Sequence, residues 1–341
     1  MRTVWYSQGS ESTECWSGPV SRIDAYIAGS LFPSEPFECT VHSVYTNALN
    51  LIVPDKPILY TLVTQPALLH PLSVLVAGSG SQAVRFNALS LEPGIAGRFN
   101  GQTLSFGSHI SISFDHIKKN SQVDECPPPL ALSAGMLEQR LEEAGIALEA
   151  LQAEQNTELR WLSKEHLVNF LPEETSGYSG RFESVANTLC NSLVAGSPSV
   201  ALTASLKLLG LGQGLTPSGD DFLCGLAIAL LMYAAHPDYE EQISALAVET
   251  WLWGIAATLG TVPSTITDPR DRTGIVSKSF LYMASLGRFS SILVRFAKAF
   301  VDPSQDIRQE IVQLAQYGHS SGLDSATGFL FGIASVEQRR S

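Results

Sequence analysis

Three consecutive prolines, Pro127 to Pro129, separate two halves of this chain that follow different hydrophobic periods. Proline fixes φ and has no amide donor, so neither a helix nor a central strand passes through such a run. Upstream the pattern is that of strands. Within 105–114, Ile110, Ile112 and Phe114 share one face and Ser111 and Ser113 the other. Asn100-Gly101 lies between apolar runs at 95–99 and 103–106, a hairpin signal, because both turn residues need positive φ. Further strands are expected at 37–44, 58–63, 73–76 and 83–89, and a short helix at 21–31. Many short strands with turns between them predict a small barrel or sandwich.

Downstream the period becomes helical. Leu137, Leu141, Ala144, Leu148 and Leu151 form one apolar stripe. Helices are expected at about 181–195, 199–209, 220–235, 239–259, 276–287, 289–301, 304–317 and 325–337. Asp238 with Glu241 reads as a capping pair, Asp302-Pro303 as a helix start and Gly210 as a helix stop. The fold class is therefore α+β: a β-rich barrel or sandwich domain over 1–125, then an all-α helical domain over 130–341.

The helical half contains an echo. Ser218-Gly219-x-Asp221-x-x-x-Gly225 returns as Ser321-Gly322-x-Asp324-x-x-x-Gly328, each before an apolar run. Helix N-termini carry unpaired N–H groups and partial positive charge, so two such entrances of one design suggest a shared anion site. If they converge, Asp221 and Asp324 share a pocket with His319 at its rim. The bland alternative is that each S-x-x-D is a capping box and each later glycine only permits close packing. The first copy exceeds what a cap requires, because Gly210, Gly212, Gly214 and Gly219 fall within ten residues and Thr216-Pro217-Ser218 adds two hydroxyls. Asp220 and Asp221 point about 100° apart on a helix, so only one can serve the cap. The other is free for a substrate amide or a divalent cation at Asp220/Asp221.

The run is not a Walker P-loop, because no lysine follows the glycines, and it lacks the Rossmann spacing. There is no H-E-x-x-H, which argues against a conventional zinc site. Arg270, Arg272 and Arg288 are candidate anion clamps, with a solvated loop as the alternative. The candidate catalytic residues are Asp220, Asp221 and His319. The candidate anion or substrate residues are Gly212, Gly214, Thr216, Ser218, Gly219, Ser320, Ser321, Asp324 and Arg288.

A net charge of −12 without any basic cluster argues against nucleic acid. The five scattered cysteines contain no C-x-x-C pair and suit a reducing compartment. The apolar run 222–235 is shorter than the ~20 residues a membrane span needs. With no apolar signal segment in MRTVWYSQGSES, the expected location is the cytoplasm.

The run G-L-G-Q-G-L-T-P-S-G-D-D-F-L-C-G at 210–225 resembles the signature of the AllH family. The likeness extends to Gly287-x-Phe289-Ser290, to Gly318-His319-Ser320-Ser321-Gly322-x-Asp324 and, in the first half, to 41–45 and 47–50. It implies one subunit of an anaerobic oxamate carbamoyltransferase, acting with two other proteins late in allantoin breakdown. The implied reaction converts oxalurate and phosphate to oxamate and carbamoyl phosphate. The chain lacks the Ser-x-Arg-Thr and His-Pro-x-Gln motifs of ordinary carbamoyltransferases; Asp271-Arg272-Thr273 and His70-Pro71 are fragments of them. Three readings follow: a subunit contributing an anion site, a scaffold or regulatory subunit, and a self-sufficient enzyme on another small amide or phosphorylated acid.

Overall fold

The computed structural model describes residues 23–78, 83–107, 110–115, 117, 125–170, 182–236, 243–261 and 272–338. Eight strands, β1 (Ile23–Ala28), β2 (Phe37–Val44), β3 (Ala48–Ile52), β4 (Leu59–Val63), β5 (Ser73–Gly78), β6 (Ala96–Phe99), β7 (Thr103–Phe106) and β8 (Ile110–Ser113), form a closed barrel. The order is β1-β5-β4-β3-β2-β6-β7-β8, closed by the parallel pairing of Ile23 with Ile112. Closure removes both sheet edges, and alternate residues such as Val41, Leu62, Val74 and Leu104 fill the interior.

The Asn100-Gly101 turn joins β6 to β7 as expected, but only Gly101 takes positive φ, at +98°; Asn100 instead accepts through its carboxamide from the amides of Gln102 and Thr103. Gly107, at φ +58°, divides the 105–114 run into the ends of β7 and β8. Two expectations are corrected. The helix expected at 21–31 is the strand β1 over its described part, because closing the barrel needs a partner for β5 and β8. The strand expected at 83–89 is a short 3-10 turn, Phe86–Ala88, that drives Phe86 into the barrel core.

Among the described residues nine helices follow: α1 (Ala134–Gln155), α2 (Phe182–Val194), α3 (Pro198–Leu208), α4 (Ser218–Ala234), α5 (Ala245–Thr258), α6 (Ile275–Ser285), α7 (Ser291–Val301), α8 (Ile307–Ala315) and α9 (Ser321–Glu337). They are not all of this half. A hairpin, β9 (Leu159–Leu162) and β10 (Leu167–Phe170), interrupts them and buries Trp161 beside α1. Gln152 ties the hairpin in: its carbonyl accepts from Trp161 N at 2.7 Å and its amide donates to Thr327 Oγ1 of α9 at 2.7 Å.

Helices α4 and α9 are buried along nearly their whole length and form the centre of this half. The α1 stripe packs against the same core. Gly210 stands just past α3 at φ +74°, as a helix stop should. Asp302-Pro303 does not start a helix. Asp302 turns to accept from the Ser304 amide, and α8 begins at Ile307 under the Asp306 cap. The Asp238–Glu241 pair lies outside the described residues; α5 is capped by Ser244.

Candidate functional site

The echoed segments are two copies of one packing device. A Cβ added to Gly225 would overlap the Ser325 carbonyl of α9, and one added to Gly328 would overlap the Phe222 carbonyl of α4. Ser325 and Phe222 hold the same place in their copies, four residues past the serine. A Cβ on Gly332 would likewise meet Ala229, so the two helices run side by side in the same direction. The earlier glycines match too. Gly219 lies against the Leu208 carbonyl at the end of α3, and Gly322 against the Leu314 carbonyl at the end of α8. Their amides are also spent alike: Gly219 N donates to Leu211 O at 2.8 Å and Gly322 N to Tyr317 O at 3.2 Å.

The two entrances therefore meet at one end of the α4–α9 pair. Thr216 Oγ1 and Ser321 Oγ are 2.7 Å apart. The contacts are exchanged between copies: the hydroxyls of Ser321 and Thr216 lie beside Asp221, and those of Ser320 and Ser218 beside Asp324. The capping-box alternative is not what forms. The serines are the first helical residues, and the caps, Pro217 and Ser320, make no side-chain cap bond.

Both carboxyls are buried, and Asp221 Oδ2 and both Asp324 oxygens lack a well-formed hydrogen bond. Burial, then the nearby Asp324, pushes the Asp221 pKa well above the carboxylate range, against the pull of Ser321 and Thr216. Burial pushes Asp324 up to about 7, with Ser320 and Ser218 opposing. Two desolvated carboxyls this close favour the protonated form. Burial first, and Asp221 second, also raises the Cys224 pKa, so this thiol is no thiolate nucleophile.

Above the entrances lies a cleft of about 1040 Å³ between the helices and the barrel. Gly214, Thr216, Ser218, Ser320, Ser321 and exposed His319 line its helical side, with Glu158 and Thr157 after α1. Asn50 and Thr61, joined at 2.9 Å, and His70 line the barrel side. A small chamber of about 50 Å³ adjoins it, sharing Thr216, Ser321 and Tyr317 and lined also by Asp221. Asp324 is fully buried and lines neither cavity, so the two carboxyls do not share a pocket as expected, and Asp324 reaches the cleft only through the Ser218 and Ser320 hydroxyls. No lysine or arginine is among the described residues lining the cleft.

Several expected site residues lie elsewhere. Asp220 is not free. It is buried, accepts from Gly210 N at 2.8 Å and from the Thr273 hydroxyl, and lines neither cavity. That separates it from Asp221 and leaves the cation expected at the pair without a shared site. Among the described residues no group of three or more His, Cys, Asp or Glu is placed to hold a metal. Gly212 is packed against the turn, where a Cβ would stand 2.7 Å from Ser218 N, whereas Gly214 is open. Arg288 lies outside the cleft lining, half-exposed and 3.7 Å from Glu125. Arg272 donates to the Leu206 carbonyl, and Arg270 lies outside the described residues.

The barrel wall escaped the sequence reading. His70, Asn50 and Thr61 sit in strands or turns whose partners are distant, and an isolated histidine carries no pattern. Only the likeness at 41–45 and 47–50 and the His70-Pro71 motif fragment touched this wall.

Residues 208–333 match the family described as oxamate carbamoyltransferase subunit AllH, and residues 20–119 match the AllH family N-terminal domain. No curated protein and no solved structure gives a significant match to the chain. The first match spans both echoed entrances and the second spans the barrel, so together they take in most of the chain and both walls of the cleft. This chain belongs to the AllH family.

Proposed function

We propose that this chain is the subunit of an oxamate carbamoyltransferase that contributes the cleft between barrel and paired helix entrances as a substrate site. In the reaction, a phosphate oxygen attacks the terminal carbamoyl carbon of oxalurate. The bond from that carbon to the inner amide nitrogen breaks, giving carbamoyl phosphate, and the leaving nitrogen takes a proton to become oxamate. The proton that phosphate gives up balances the one that nitrogen gains. Asp221, held protonated at neutrality, and Asp324, whose pKa of about 7 lets it both give and take a proton there, supply and recover it through the hydroxyls of Thr216, Ser218, Ser320 and Ser321. His319 sits at the rim, where it meets whatever enters.

The observation that carries this reading is the pair of buried carboxyls, three of whose four oxygens lack a well-formed hydrogen bond, beneath a hydroxyl-lined cleft. A pure scaffold has no use for them, because each unpartnered buried polar group costs about 1–3 kcal/mol. The anionic substrates are drawn by hydroxyls and two helix dipoles. Stronger cationic contacts to phosphate come from the two other subunits, since the described lining holds none. Allantoin breakdown in the cytoplasm is the setting this implies; the reading needs neither a cofactor nor a membrane. Calorimetry of the assembled complex with oxamate, carbamoyl phosphate and phosphate tests it. Binding that is lost in Ser218→Ala/Ser321→Ala supports the reading; no binding, or binding untouched by these changes, removes it.

A further inference from the structure

His70 occupies the barrel side of the cleft in a turn fixed from several directions. Its backbone N–H donates to Ser73 Oγ at 2.8 Å, and that hydroxyl donates back to the His70 carbonyl at 2.8 Å. The backbone N–H of Ser291, at the start of α7, donates to the neighbouring Leu69 carbonyl at 3.0 Å. Gly29, just past β1, lies so close that a Cβ there would overlap the carbonyls of His70 and Pro71. The ring rests on Phe280 of α6, with centroids 5.6 Å apart.

Within this rigid frame His70 is only 6% exposed, and its buried Nδ1 has no hydrogen-bond partner. Buried polar atoms in folded proteins are nearly always paired, so an orphan within a residue that lines a cavity calls for an explanation. Burial alone lowers the pKa of His70 to about 4. The imidazole is therefore uncharged at physiological pH and carries one donor and one acceptor nitrogen. Such a group is a poor clamp for phosphate and a good partner for a carbonyl or amide. The absence of lysine and arginine from the described lining suits the same end of a substrate.

We propose that His70 is a substrate-binding residue, hydrogen-bonding through its ring to the carbonyl or amide group of an oxamoyl or carbamoyl compound. The inference rests on the cleft being the substrate site. It makes the barrel wall part of that site, in the cavity that Ser218 and Ser321 line from the helical side.

The test is a long-range proton–nitrogen NMR spectrum of the histidine rings, recorded on the full-length chain alone and assembled with its partner subunits. Oxamate is the amide probe and inorganic phosphate the charged one. Addition of oxamate should move both His70 ring nitrogens while they keep the neutral pattern at pH 7, and phosphate should leave them in place. If oxamate moves His319 but not His70, this proposal falls and the cleft stands. If oxamate moves neither, both fall. A folded His70→Gln protein should bind oxamate at least about ten-fold more weakly, a change of about 1.4 kcal/mol; unchanged affinity overturns the proposal. Should that variant fail to fold, the wild-type titration decides alone.

Discussion

Thr216 Oγ1 and Ser321 Oγ stand 2.7 Å apart although 105 residues separate them. This bond joins the two helix entrances directly above Asp221. Replacing Thr216 by Val or Ser321 by Ala should each cost about 0.5–1.5 kcal/mol in urea unfolding. The double variant should cost less than the sum, because one bond is lost in all three. Full additivity would show that the entrances are not coupled through these hydroxyls.

The glycines two turns into each helix set how closely α4 and α9 approach. Gly225→Ala and Gly328→Ala each place a methyl group on a carbonyl oxygen of the facing helix. Each should lose about 1–3 kcal/mol or more, since backbone cannot yield as a side chain does. Gly214→Ala is the control. Gly214 has φ +100° and nothing within 4 Å of an added Cβ, so only backbone strain of about 1 kcal/mol is expected. Thermal melts compare them; equal losses would contradict the packing account.

Asp220 and Asp221 are neighbours with opposite duties. Asp220→Ala removes the acceptor for the Gly210 amide and the Thr273 hydroxyl. A loss of about 1.5–3 kcal/mol is expected, as for hydrogen bonds to a charged group. Activity per folded molecule should stay within a few-fold of the parent. A large drop in kcat at full folding would return Asp220 to the chemistry.

The Asp324 pKa also sets a pH dependence of stability. Its folded value, about 7, is raised above the unfolded value. The folded state then binds more protons than the unfolded one between about pH 4 and 7, so stability falls as pH rises through that window. Above it the penalty is at most roughly 4 kcal/mol, at 1.36 kcal/mol per pH unit. Asp221 acts in the same direction. Asp324→Asn should flatten this slope and melt higher than the parent at pH 8. His70, held below its unfolded value, acts in the opposite sense below about pH 6.5, so the slope is read as the difference between parent and Asp324→Asn; a difference that does not change from pH 5 to 8 would contradict the raised pKa.

The repeated Ser-Gly-x-Asp spacing was legible because it uses identical residues for identical contacts, and the barrel because turn residues punctuate short strands. Other features depended on residues far away. Asp220 and Asp221 had to point apart on a helix, but which one faces the cavity depends on Gly210 and on Thr273, which is 53 residues from Asp220. β1 reads as a helix until β5 and β8 are there to pair with it. The β9–β10 hairpin is only four residues a side, too short for a period to show. His70 showed only as half of a broken His-Pro-x-Gln motif; its place lies in a cavity that two halves of the chain build together.

The central claim is that the buried carboxyls serve proton transfer in the cleft, and a pH–rate profile tests it most directly. Carbamoyl phosphate formation from oxalurate and phosphate would be followed in the assembled complex from pH 5 to 9. The parent should show a limb near pH 7, matching Asp324. Asp324→Asn should abolish that limb and lower kcat by about 10²–10⁴-fold, with KM changed far less and the melting temperature not reduced. An Asp324→Asn complex that keeps the parent's kcat and its limb near pH 7 would contradict the account.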